Sequence, residues 1–331
     1  MTRRPVWIAL MAIVILAGSA NAILAQEAEV PVQEHVLDNG MKLLLVERHD
    51  APSVSAGWVA HVGSANESYG VTGIAHLFEH MMFKGTHTIG TSDADKELAI
   101  MEQLDELRGE MEIEYSKLRE AKLRGEVTGS IYLPENQTDR LADLREKMKA
   151  LQDEQRTFII KDEFDQIYTA AGASGMNAGT SEDFTIYFIT VPANKLELWF
   201  WMESDRLLNP VFREFYSERD VVFEERRLRL ESTPTGKFDE QFNAMFWGSH
   251  PYGWSPVGLP SDLRVISKEQ ADDYFGTYYA PDNLTAALVG NFEIDDVKEK
   301  AERYFGRLQR SQRPAADIAT MELAQLAEKR M

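Results

Sequence analysis

Residues 73–83 read GIAHLFEHMMF. His76, Glu79 and His80 stand in a run that is otherwise apolar: Ile74, Leu77, Phe78, Met81, Met82 and Phe83. On a helix, positions i and i+4 lie on one face, so His76 and His80 can grip one metal ion while Glu79 projects beside them. This is the mirror order of the H-E-x-x-H zinc motif, with the same geometry. Zinc held by three protein ligands keeps a position open for water and lowers the pKa of that water to about 7. A neighbouring carboxylate can then take the proton and pass it to a leaving amine. The competing reading is a core helix with two chance histidines. It leaves two imidazoles and a carboxylate without partners in apolar surroundings, which is costly. A purely structural zinc would be closed by a fourth protein ligand and would give Glu79 no task.

A third ligand is sought in FREFYSERDVVFEERRLRLE, residues 212–231. Glu218 and Glu225 are two helical turns apart and share a face with Phe215 and Val222. Glu224 and Glu231 have the same spacing, beside Val221 and Leu228. Periodicity does not choose between the pairs, and a solvated helix with Glu–Arg pairs is the bland alternative.

The chain has 331 residues, 44% of them hydrophobic, and a formal net charge of −19. That is enough apolar material for one large or two modest domains. The acidic balance argues against a nucleic-acid partner. Residues 1–22, MTRRPVWIALMAIVILAGSANA, have a basic start at Arg3 and Arg4, an apolar run, and a small-x-small end at Ala20-Asn21-Ala22. This is the layout of a secretory signal peptide, so export to the periplasm or the exterior is expected, with no membrane span left after cleavage. With no cysteine in the chain, a metal site must use His and carboxylate ligands.

VQEHVLDNGMKLLLVER (32–48) reads as a β-hairpin turning at Asn39-Gly40. A third strand is expected over 54–62 and a short helix over 71–83. From 93 to 160 the texture is charged and helix-prone. Ile100, Leu104, Leu107, Met111, Leu118 and Ala121 fall on three- and four-residue steps, and Leu141, Leu144, Met148, Leu151 and Phe158 do likewise. RGEVTGSIYLPENQT separates the two arms. The pattern predicts an antiparallel coiled-coil hairpin inserted into a domain. Strands follow at 175–181 and 183–191, helices at 194–208, 213–231, 237–247 and 268–278, a strand at 284–289 and a helix at 295–305. The fold class is α+β, a mostly antiparallel sheet with helices packed on one face. The aromatic runs around Trp199 to Met202 and at Phe242, Phe246 and Trp247 are expected to be core. His250, in HPYGWSPVG, is expected to serve a turn.

Five blocks, HLFEHMMFKGT, GMNAGTSEDFTIYF, SERDVVFEERR, HPYGWSPVG and YYAPDNL, occur in this order. Together they resemble the N-terminal catalytic domain of the pitrilysin/insulinase/mitochondrial-processing-peptidase family, over about residues 32–308. The resemblance implies that fold, one zinc ion per chain held by His76, His80 and Glu225, and Glu79 as general base. It implies that Glu218 supports the site, and that Asn177 and Ala178 lie on an edge strand on which peptide substrates add as a further strand. Glu225 follows His80 by 145 residues, long for the family. Removing an insertion of about 70 residues restores about 75, which agrees with a coiled-coil arm at 93–160. The metallopeptidase domain is then 23–310. Residues 311–331 are expected to be a linker or the start of a second, homologous domain. In the family such a domain closes a chamber over the zinc and brings an Arg and a Tyr to the substrate. That domain, or a partner chain in its place, is expected for activity.

Two functions follow as expectations. One is a secreted zinc endopeptidase acting on peptides or small unfolded proteins. The other is a non-catalytic subunit that binds peptides or scaffolds a peptidase complex.

Overall fold

The first strands are built as the Asn39-Gly40 signal predicts. In the computed structural model, which describes residues 30–330, β1 (Gln33–Val36) and β2 (Lys42–Glu47) flank that turn. Gly40 takes φ 93°, and the Leu37 N–H donates to Met41 O at 2.9 Å. The expected leader at 1–22 lies outside the described residues. After β3 (Ser53–Ala60) come α1 (Ile74–Met81), α2 (Ala94–Leu123), α3 (Asp139–Gln155) and α4 (Glu163–Ala170). Then follow β4 (Ser174–Thr180), β5 (Thr185–Pro192), α5 (Leu196–Leu208), α6 (Phe215–Arg226) and α7 (Gly236–Phe246). The last elements are α8 (Pro260–Leu263), α9 (Lys268–Tyr278), β6 (Leu284–Gly290) and α10 (Ile294–Tyr304). Arg227–Glu231 continues α6 as a π-helical turn.

The six strands form one sheet in the order β1-β2-β6-β3-β5-β4. β3 pairs antiparallel with both β5 and β6, and β4 antiparallel with β5, while β2 and β6 run parallel. The sheet is thus mostly antiparallel, as expected, with β4 at one edge. Alternation along the strands makes one face apolar. Val54, Ala56, Trp58 and Ala60 of β3, Tyr187, Ile189 and Val191 of β5, and Leu284, Ala286 and Leu288 of β6 are buried. Against them lie Phe78 of α1, Trp199 and Phe200 of α5, and Phe305 after α10, all fully buried. Phe188 and Val289, on the opposite sheet face, are exposed.

α2 and α3 share a separate small core of Ile100, Leu104, Met111 and Leu118 against Leu141, Leu144 and Met148. Gln155 near the end of α3 reaches Glu97 near the start of α2, so the pair is antiparallel. Each helix begins at a side-chain cap: Asp93 accepts from Lys96 N at 3.2 Å, and Thr138 from Leu141 N at 3.1 Å.

Two expectations fail in detail. Phe242 and Phe246 are not core: with Phe238 they form an exposed stacked row along α7, successive rings 6.2 and 5.9 Å apart. Within the 194–208 run, Trp199, Phe200 and Met202 are buried but Trp201 turns outward, because four consecutive helical positions cannot share one face. The short helix α4 gave no periodic signal, since Phe164 and Tyr168 are its two buried anchors.

Buried charge stitches the layers together. Arg206 and Glu203 on α5 pair inside the core. Glu203 also accepts from Trp58 Nε1 at 2.6 Å and from the Tyr168 hydroxyl at 2.7 Å. The Arg206 guanidinium lies 4.9–5.5 Å from the ring centroids of Trp58, Phe83, Phe164 and Tyr187. Arg213 donates to Glu97 of α2 at 3.0 Å and to the carbonyls of Thr86 and Ile89, joining the helical pair to the loop after α1.

Candidate metal centre

α1 starts at Gly73, whose φ of 92° favours glycine. A Cβ there would also meet Val257 O at 2.6 Å and Leu263 Cδ2 at 2.7 Å. Two carboxylates from outside the helix hold this start. Glu67 accepts the N–H groups of Gly73 and Ala75, each at 2.9 Å. Asp262 accepts from Gly70 N at 2.8 Å and from the Thr72 hydroxyl at 2.7 Å. Ile74, Leu77, Phe78 and Met81 then bury α1 in the core, and this fixes the rotation that brings His76, Glu79 and His80 to one side.

α6 lies across from it. Phe215 and Val222 are buried, so Glu218 and Glu225 share the face turned to α1. Glu225 Oε2 lies 3.6 Å from His76 Nε2 and 3.2 Å from His80 Nε2. His76, His80 and Glu225 each bring one donor atom to within 4.8 Å of the others. Donors on a tetrahedral ion with bonds of about 2.0–2.1 Å stand about 3.3 Å apart. Two imidazole nitrogens and a carboxylate oxygen at this spacing fit a small divalent cation, zinc in particular. The Glu224 and Glu231 alternative is not brought here: Glu224 pairs with Arg227, and Glu231 faces Arg226.

Glu79 Oε2 lies 3.9 Å from His76 Nε2 and accepts a hydrogen bond from the Thr180 hydroxyl at 2.7 Å. Glu218 Oε2 stands 3.4 Å from His80 Nδ1, the nitrogen turned away from Glu225. Its other oxygen accepts from Lys84 Nζ at 2.5 Å, and Lys84 also reaches Glu214 at 3.2 Å. Arg229 holds the second oxygen of Glu225 at 2.7 Å. Asn177 and Ala178 lie on β4 and, with Glu79, His80, Lys84 and Glu218, line a cleft of about 370 Å³. Thr180 and Lys84 are the residues that sequence reasoning missed.

The electrostatics treat the two histidines differently. Burial holds the His76 pKa below its ordinary value, and the neighbouring His80 adds to this. Its imidazole is therefore neutral, the form that binds metal. Its Nδ1 is buried without a partner among the described residues. Burial would also depress His80, but the Glu218 hydrogen bond and the charges of Glu225 and Glu218 outweigh it and raise the pKa. Burial would raise Glu218, yet hydrogen bonds from His80 and Lys84 hold its carboxyl below the usual range. A second group, Glu47, His49 and Glu293, has comparable spacing. There both His49 nitrogens are already engaged, by Asn291 and Glu47.

No helix among the described residues is long and apolar enough to cross a membrane. Residues 42–104, which carry His76, Glu79 and His80, match the family model described as insulinase, peptidase family M16. Residues 266–330 match the model described as the peptidase M16 inactive domain. The zinc protease PqqE of Helicobacter pylori is 26% identical over 298 residues, which is 89% of this chain and 51% of that protein. A crystal structure of a protease from Helicobacter pylori superposes with a TM-score of 0.64 at 23% identity, covering 88% of this chain and 54% of that one. The periplasmic protease PqqL of Escherichia coli gives a TM-score of 0.59 at 17% identity, covering 86% of this chain and 25% of that one. The chain thus spans about half the length of the curated relatives it matches. With a mostly antiparallel sheet, His76, Glu79 and His80 on one short helix, and these two matches at either end, the chain is similar to the insulinase family of peptidases, M16.

Proposed function

We propose that this chain is the zinc-bearing half of an exported endopeptidase that hydrolyses peptides or small unfolded proteins. The observation that carries this reading is the convergence of His76 Nε2, His80 Nε2 and Glu225 Oε2 beside the Glu79 carboxylate. Zinc bound by His76, His80 and Glu225 would supply a Lewis acid that polarises a peptide carbonyl and makes water nucleophilic near neutral pH.

The chain's own residues do the rest. Glu79 accepts the proton of the attacking water on its carboxylate and returns it to the leaving amine. Thr180 fixes one Glu79 oxygen by donating to it. Glu218 accepts from His80 Nδ1 and so turns Nε2 toward the ligand cluster. The outer edge of β4, with Asn177 and Ala178, offers backbone groups on which an extended peptide can add as a strand beside Glu79.

Export rests on the sequence of residues 1–22 and agrees with the periplasmic location of PqqL, the Escherichia coli protease of similar fold. A homologous second half, in the same protein or on a partner chain, agrees with relatives about twice as long. The helical arm of α2 and α3 is proposed as an insertion into the peptidase domain. A second reading, a non-catalytic peptide-binding or scaffolding subunit, is favoured by the inactive-domain description that matches residues 266–330.

The test measures zinc content and cleavage of a mixed peptide library by mass spectrometry, with Glu79→Gln in parallel. One zinc per chain and chelator-sensitive cleavage that is lost in Glu79→Gln are expected. Zinc bound with no cleavage, even with the homologous half supplied, sinks the enzyme and leaves the binding subunit.

A further inference from the structure

Away from the metal centre, three guanidinium groups converge on one cleft where α2 meets α6 and the turn after α8. Arg108, Tyr132, Arg219, Asp220, Phe223 and Arg264 line it, and it holds about 300 Å³. Arg264 lies over the rings of Phe223 at 4.6 Å and Tyr132 at 5.1 Å. Arg108 is drawn in by donating to Arg264 O at 2.8 Å. Arg219 is buried and spends Nη1 on Ile266 O, while its Nε is buried with no acceptor among the described residues.

Among the described residues these three cations are only partly balanced, by the charge of Asp220. Among the described residues, neither Arg219 nor Arg264 has a carboxylate oxygen within 4.0 Å. Arg108 has Glu112 only at 3.8 Å, and Glu112 is held more closely by Arg119 at 2.6 Å. Asp220 is the one acidic lining residue, and it is exposed. Burial, with the charge of Arg108 added, pushes the Arg219 pKa down to about 10. Converging cations half out of water are costly unless an anion joins them. In a chain of net charge −19 such a positive cleft runs against the overall field.

We propose that this cleft is an oxyanion site that takes a carboxylate or phosphate group, with any apolar carrier against Tyr132 and Phe223. Guanidinium forks match both oxyanions in two-pronged fashion, and the flanking rings hold the Arg264 fork flat. Arg219 and Phe223 are four residues apart on α6, the helix that also carries Glu218 and Glu225. The site uses neither the metal nor Glu79, so it stands apart from the peptidase reading.

The test is calorimetric titration of the full chain at fixed ionic strength. One arm uses inorganic phosphate, the other acetyl-Phe-Glu-amide, a carboxylate on an aromatic carrier. Saturable binding of at least one probe is expected. Arg264→Gln, an exposed change, should weaken it about tenfold, the value of one charge-assisted hydrogen bond. Asp220→Asn should tighten it by removing the competing charge. Tighter phosphate binding assigns a free anion, and tighter peptide binding assigns an acidic side chain. Saturation by neither probe, or binding that Arg264→Gln leaves unchanged, overturns the proposal.

Discussion

Thr180, the last residue of the edge strand, donates its hydroxyl to Glu79 at 2.7 Å and ties the sheet to the helix of the candidate metal centre. The bond fixes one Glu79 oxygen and leaves the other free to take a proton. Thr180→Val keeps the shape and removes the donor. A hydrogen bond to a charged group is worth about 1.5–3 kcal/mol, so kcat/KM should fall about 10- to 100-fold with zinc content unchanged. Thr180→Ser should recover most of the loss. Unchanged turnover in Thr180→Val would show that Glu79 needs no such guide.

Lys84, Glu218 and His80 form a line that ends at the ligand cluster: Lys84 Nζ to Glu218 Oε1, and Glu218 Oε2 to His80 Nδ1. Outer partners of this kind orient metal-binding imidazoles. Glu218→Gln should cost about 10- to 100-fold in zinc affinity, read by competition with a chromophoric chelator. Lys84→Met should cost less, because Glu218 keeps its contact with His80. A larger effect for Lys84→Met than for Glu218→Gln would invert this order and refute the arrangement.

Much of this was legible in the sequence because it is local. The i, i+4 spacing of His76 and His80 and the Asn39-Gly40 turn are decided within a few residues. The choice of Glu225 over Glu224 was not local: periodicity left it open, and it came only with the family resemblance. Both belong to acid pairs with seven-residue spacing, and only the burial of Phe215 and Val222 against the core sets which face of α6 meets α1. Thr180 and Lys84 were invisible for a related reason. Thr180 meets Glu79 across 101 residues and Lys84 meets Glu218 across 134, through the packing of separate elements. The aromatic run on α5 also concealed the ion pair of Glu203 and Arg206, since charged positions in an apolar helix do not reveal whether they point in or out.

That ion pair sets a stability prediction. Glu203 serves Arg206, Trp58 Nε1 and the Tyr168 hydroxyl at once, all in the core. Glu203→Ala strands a buried guanidinium and two further donors. The loss should be about 3–5 kcal/mol, seen as a lower midpoint in urea unfolding. Replacing the pair together, Glu203→Leu with Arg206→Met, should cost less than Glu203→Ala alone, because no charge is left unpaired. A double variant as unstable as the single one would mean that the rings around Arg206, not its charge, dominate the site.

Glu67 makes the stability of the start of α1 depend on pH. Burial pushes its carboxyl up to about 8, against the backbone hydrogen bonds from Ala75 and Gly73 that favour the ion. In the unfolded chain the same group ionises near 4.5. Between these values the folded protein keeps a proton that the unfolded chain has lost, so rising pH favours unfolding. Glu67 therefore contributes most stability below pH 4.5, loses it progressively up to about 8, and adds no further slope above that. The slope in the window is at most about 1.4 kcal/mol per pH unit. Other groups titrate over the same range, so the measurement is a difference: urea midpoints of the natural chain and Glu67→Gln at several pH values from 5 to 9. The variant should be less stable at pH 5, because an amide nitrogen cannot accept the second backbone N–H, and the gap should close as pH rises toward 8. A gap that stays constant across the window would mean that the two N–H donors at the start of α1 keep Glu67 ionised and outweigh its burial.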